Sequence, residues 1–188
     1  MIRGISDRNI LDEFAINFCN IIDKYTRYIV VSGFLVISSG RIRSTEDIDM
    51  IIEPIQIERF EELHIELIKN NFICMQSDDP KEIYSYLKDK LSVRYTYNDS
   101  PLPEMEVKFA VDELDKYQLS TRTKIPSTGV DIYFGSVNMN IAFKEEYLKS
   151  DKDLEDARHL RIVYEDKIDE DEIKKIKEKI RKTRLNER

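Results

Sequence analysis

The chain has 188 residues, 41% of them hydrophobic, with a formal net charge of −7 at pH 7. That is enough for one full domain with a sizeable core, and too acidic for a protein that coats nucleic acid over its whole surface. No apolar run approaches the roughly 20 residues of a membrane span, the charged first residues do not read as a secretion signal, and the isolated Cys19 and Cys74 point to buried thiols in a reducing cytoplasm rather than to zinc.

Ser6 or Asp7 is placed to cap a first helix running to about Tyr25, with Ile10, Phe14, Phe18, Ile21 and Ile22 on one side. Tyr28 to Val31 reads as a strand. Ser32-Gly33 then opens a short apolar helix, Phe34 to Ser38, with Gly40 as its stop. Arg41 to Glu46 is a basic, hydroxylated loop. Asp47 to Ile52 is the second strand, ended by Pro54.

Asp47 and Asp49 are separated by one residue, so on a strand both point to one face, about 7 Å apart at Cα for a rise of about 3.3 Å per residue. Ile48 and Met50 point the other way, into a core. Two carboxylates on one face repel, and a divalent cation is the simplest group that keeps both ionised. The plainer alternative is a pair of solvated edge-strand residues.

Glu58 to Asn70 is an amphipathic helix, with His64 between charged neighbours and expected at the surface. Phe72 to Met75 is a short strand, and Pro80 opens a helix to about Lys90. Leu91 to Tyr97 and Glu104 to Val111 are strands around a turn at Asn98 to Pro103. Glu106 lies between apolar residues of its strand, so it is either a site residue or an ordinary exposed one. Asp112 to Ser120 is a short helix or loop. Pro126 to Gly129 joins a hairpin. From Val137 to the end the pattern is helical: Val137 to Lys149, Asp151 to Glu165 and Asp169 to Leu185.

The last 15 residues carry eight basic and two acidic side chains, a balance of +6 that leaves −13 for the rest. Such asymmetry fits either a solvated terminal helix or a surface for RNA.

A glycine at a strand-to-helix turn followed by a carboxylate-apolar-carboxylate strand resembles the nucleotidyltransferase superfamily with the DNA polymerase β-like fold. Here Gly33 precedes Asp47-Ile48-Asp49. Phe34 takes the place of the second small residue, and Ser32 lies just before the glycine. Lys144, followed by Lys152-Asp153 at the opening of the next helix, looks like the C-terminal motifs of AbiEii-type proteins, the toxins of type IV toxin–antitoxin systems and their relatives.

The resemblance implies an α+β fold: a mixed β-sheet flanked by helices over residues 1–136, and a helical C-terminal part over 137–188. It implies metal-dependent transfer of NMP from an NTP to an RNA end, a protein or a small molecule. Asp47, Asp49 and Glu106 would be the catalytic carboxylates and the ligands of Mg2+ or Mn2+, two ions in all. Ser32, Gly33, Arg41, Arg43, Lys144 and Asp153 would contact the nucleotide and its phosphates. It further implies a possible toxin role with a separate antitoxin, in the cytoplasm. Two plainer readings stay open: Arg41 and Arg43 as a solvated loop, and Lys144 with Asp153 as a structural ion pair. So does a catalytically inactive module that binds a nucleotide or a protein, for which Phe34 gives the motive.

Overall fold

The computed structural model describes residues 9 to 42 and 47 to 186, with side chains through Thr183. The helix α1 spans Ile10–Ile22 and buries Phe14, Ala15, Phe18 and Cys19. Its cap is Asn9 rather than Ser6 or Asp7, which lie outside the described residues. The Asn9 side chain accepts from the Asp12 amide at 3.0 Å, and Asp12 reaches back to the Asn9 amide at 2.9 Å. This reciprocal box satisfies two amide donors at once, which fixes where the helix begins.

The strand β1 (Tyr28–Val31) leads into α2 (Gly33–Ser38), and Gly40, at φ +93°, ends that helix as a residue without Cβ readily can. Then follow β2 (Asp47–Ile52), α3 (Ile57–Lys69), β3 (Phe72–Cys74), α4 (Pro80–Lys88), β4 (Val93–Tyr97) and β5 (Ser100–Phe109). The strand β5 starts inside the expected loop, so β4 and β5 form a tighter hairpin, with Tyr97 opposite Ser100. After α5 (Glu113–Ser120), the short strands β6 (Thr123–Lys124) and β7 (Tyr133–Phe134) pair antiparallel. The chain closes with α6 (Val137–Phe143), a π-helical turn (Lys144–Leu148), α7 (Asp151–Val163) and α8 (Glu170–Asn186).

The seven strands form one mixed sheet in the order β3-β4-β5-β2-β1-β7-β6. The strand pairs β2–β5 and β1–β7 are parallel and the others antiparallel. Its inner face carries Tyr28, Val30, Ile48, Met50, Ile52, Met105, Val107 and Phe109, all buried. They share one apolar cluster with α1, α3 and α4. On the opposite face Ile29 and Ile51 pack with Ala110 and Leu119. The helix α5 therefore packs over the Ile51 end of that face, and its Asp115 and Gln118 border the cavity that Asp49 lines.

The basic terminal helix packs through one apolar face and keeps its outward lysines in solvent. Ile173, Ile176 and Ile180 of α8 are buried in the main cluster together with Ile141 and Leu160. Lys174, Lys175, Lys179 and Lys182 face solvent. His64, expected at the surface, is buried instead. It is 3% exposed, with its Nδ1 3.2 Å from the Tyr95 hydroxyl. The charged neighbours of His64 in sequence belong to the outer face of α3, while His64 follows Phe60 onto the inner one. No helix among the described residues is long and apolar enough to cross a membrane.

Phe34 accounts for the departure from a small residue. It is 1% exposed and stacks on Phe134, with ring centroids 6.2 Å apart. It fills the core beneath α2, so Phe34→Ala is expected to cost about 3–5 kcal/mol. Urea denaturation reads this directly; a cost below about 1 kcal/mol would show that the ring is not a core element.

Candidate active site

The site begins with strand register. The parallel pairing of β2 and β5 sets Asp47 opposite Glu104 and Asp49 opposite Glu106. Neighbouring strands lie about 4.8 Å apart and alternate residues share a face. Four carboxylates therefore gather on the sheet face opposite the main core. Ile48 and Met105, between them, are fully buried on the other face.

Like charges at this spacing need compensation. Arg94 of β4 lies opposite Glu106 and donates from Nη2 to Oε2 at 3.0 Å, with its Nε 3.5 Å from Glu104. Ser92 donates to the other Glu106 oxygen at 2.8 Å. Asp49 is held differently. Burial pushes its carboxyl above the ordinary carboxylate range. The hydroxyl of Ser32 opposes that by hydrogen bonding, the charges of Asp47 and Glu106 add to it, and Lys108 counters them. Ser32 reaches Asp49 from a backbone at φ +65°, an unusual conformation for a residue with a Cβ. Such strain, of order 1–3 kcal/mol, persists where the surrounding structure imposes it.

Asp49 and Glu106 line a cavity of about 300 Å³ together with Ser32 and Lys144. Lys144, the first residue of the π-helical turn, is 1% exposed. Its ammonium lies 2.9 Å from Asp156 and 3.5 Å from Asp153, both on α7. Asp156 is itself fully buried, and its second oxygen accepts from Arg41 at 2.7 Å. Arg41 also reaches Glu155 at 2.6 Å. One buried carboxylate thus joins the helix that carries Lys144 to the loop that precedes β2.

Of the residues singled out in the sequence, Ser32, Asp49, Glu106 and Lys144 face one cavity, with Asp153 behind Lys144. Asp47 is exposed at the start of β2, beside Glu104 and outside the cavity lining. Gly33 is buried as the first residue of α2 and does not line the cavity either. Arg41 turns to α7. Arg43 lies outside the described residues.

Sequence reasoning missed Arg94, Lys108, Asp156, and the amides Gln118 and Asn140 on the cavity wall. Lys108 was within reach, since it follows Glu106 by two residues and shares its face. The others depend on strand pairing or helix packing.

Among the described residues, no three His, Cys, Asp or Glu side chains stand ready-made to hold a metal ion. The donor chemistry nonetheless suits a hard divalent cation, because every candidate ligand is a carboxylate oxygen.

No protein-family model matches the sequence, nor does any curated protein. Solved structures do share its fold. The antibiotic-resistance factor ANT(2'')-Ia, whose solution structure is described for substrate-regulated conformation dynamics, has a TM-score of 0.51 at 12% identity. The match covers 93% of this chain and 95% of that one. An antigenic nucleotidyltransferase-like protein from Paracoccidioides brasiliensis has a TM-score of 0.53 at 17% identity, over 93% and 88% of the two chains. The chain therefore shares the fold of these two proteins: a mixed sheet flanked by helices.

The buried pair gives a test of the junction. Asp156→Asn leaves Lys144 buried without its nearest anion and is expected to cost about 3–5 kcal/mol. Lys144→Met combined with Asp156→Leu should cost less than Asp156→Asn alone, as paired removal does in buried ion pairs. Equal or greater loss in the double variant, read by urea unfolding, would contradict the pairing.

Proposed function

We propose that the protein transfers a nucleoside monophosphate from a nucleoside triphosphate to an acceptor, at the cavity between the β2–β5 carboxylates and Lys144. The observation that carries this reading is the register placing Asp49 beside Glu106, with Lys144 lining the same cavity. The sheet part, residues 1–136, supplies the carboxylates, and the helical part, 137–188, supplies the cation.

Asp47, Asp49 and Glu106 would hold Mg2+ or Mn2+, with Glu106 exchanging its contact to Arg94 for the ion. Such ions supply charge stabilisation for the attacking and leaving oxygens of an in-line displacement. The chain's own groups do the rest. Ser32 fixes the orientation of Asp49. Lys144, steered by Asp153 and Asp156, faces the triphosphate. The acceptor oxygen bonds to the α-phosphorus, the bridging bond to the β-phosphate breaks, and pyrophosphate leaves. Glu106 takes the proton of the attacking hydroxyl.

The acceptor class is an RNA end, a protein side chain or a small molecule; the outward lysines of α8 favour RNA. The likeness of Lys144 and Lys152-Asp153 to AbiEii-type motifs supports a toxin role with a separate antitoxin, in the cytoplasm. The Arg94–Glu106 contact supports a second reading, in which the carboxylate face is neutralised internally and the fold only binds a nucleotide or protein.

Incubation with Mg2+ or Mn2+, each labelled nucleoside triphosphate and total RNA separates the two. Label transfer is expected, and Asp49→Asn should reduce it at least about a hundredfold while the circular dichroism spectrum stays unchanged. Nucleotide binding with no transfer to RNA, to protein or to small molecules would select the binding module. Near-wild-type transfer by Asp49→Asn would overturn the carboxylate assignment.

A further inference from the structure

We infer that the inner wall of the cavity reads the nucleobase and selects one with an exocyclic amino group over uracil or thymine. The inference rests on the nucleotidyl-transfer reading above. Its starting point is Gln118, in the last turn of α5. Gln118 is 5% exposed and lines the cavity, yet its side-chain amide makes no hydrogen bond to the protein among the described residues. Its amide atoms are not sealed from solvent, so they open onto the cavity and can pair with what binds there.

Asn140 of α6 stands close by. An ideal Cβ on Gly135 would lie 3.4 Å from Asn140 Nδ2 and 4.0 Å from Gln118 Oε1, so the two amides converge on the same backbone position. Asn140 Nδ2 donates to the carbonyls of Gly135 and Ser136, both at 3.0 Å. Those two bonds fix the amide's orientation and leave Oδ1 as a pure acceptor. Asp115, also on the wall, takes Lys108 Nζ at 3.1 and 3.2 Å and the Val111 amide at 3.2 Å. It too can only accept.

The wall therefore offers one amide that both donates and accepts, Asn140 Oδ1 as a pure acceptor, and Asp115 paired with the Lys108 ammonium, which also lines the cavity. An amino-bearing base edge matches this set: a ring acceptor or ring N–H pairs with Gln118, and the amino hydrogens turn to Asn140 Oδ1. Uracil and thymine present a single N–H between two carbonyls, and a carbonyl set against Asn140 Oδ1 is repelled. Specificity would come as much from that repulsion as from attraction. Phe143 and Leu148 supply apolar surface for the flat ring. The volume of about 300 Å³ is room for about ten waters at ~30 Å³ each, the lower end of small-molecule sites.

The test is calorimetric titration of the full chain, with Mg2+ present, by ATP, CTP, GTP, UTP and inorganic tripolyphosphate. At least one amino-bearing triphosphate is expected to bind about tenfold or more tightly than UTP. Gln118→Leu keeps the side-chain volume. It should bring that nucleotide to within about twofold of UTP and leave tripolyphosphate binding unchanged. Thermal melts establish that the variant is folded. If wild type binds all four nucleotides within about twofold, or Gln118→Leu keeps the preference, the base subsite is wrong and the transfer reading stands. If none of the five ligands binds, both fall.

Discussion

Repulsion between like charges on one sheet face is the constraint on which the rest of this structure depends. The apolar residues of β2 and β5 fix the register, because a slip of one residue would turn Ile48, Met50, Met105 and Val107 out of the core. The same register brings Asp47, Asp49, Glu104 and Glu106 together. Core packing therefore holds in place a charge cluster that would disperse if the side chains were free. Arg94, Ser92, Ser32 and Lys108 answer part of that charge. What remains sits at Asp49, where burial and its carboxylate neighbours raise the carboxyl above its ordinary range.

The helical part answers the sheet from across the cavity. Lys144 is buried, and a buried ammonium needs an anion nearby. Asp156 serves as that anion and at the same time anchors Arg41, at the start of the loop that leads to β2. Arg41, just past α2, and Lys144 are thereby tied to one fully buried oxygen pair. The Glu145 contacts to Arg161 and Lys177, at 2.8 and 2.5 Å, extend the tie from the π-helical turn to α7 and α8. The isoleucines of α8 lock that helix to the same core. The cavity is thus bounded by elements that share one packed interior.

Where local sequence determined the outcome, the chain could be read. The Asp47–Ile52 strand, the short helix after Ser32, the stop at Gly40 and the helices flanked by caps all follow from alternation, helical spacing or turn chemistry. The Asp47/Asp49 pair came from the same alternation, and the candidacy of Glu106 from the superfamily resemblance and its place between apolar strand residues. What escaped depends on partners distant in sequence. His64 is buried because Tyr95, 31 residues later, offers it a hydroxyl. Glu106 is bridged because β4 returns antiparallel and sets Arg94 opposite it. Gln118 and Asp156 look like ordinary polar helix residues until packing encloses them. Phe34 reads as a defect against the superfamily pattern and proves to be a core side chain.

The most direct test of the central claim is where the label goes. The protein would be incubated with its acceptor and each nucleoside triphosphate, labelled at either the α- or the γ-phosphate. Nucleotidyl transfer predicts that the acceptor gains only the α label while the γ label leaves in pyrophosphate. Appearance of the γ label in the acceptor, or its release as free phosphate with no α label transferred, would contradict the account.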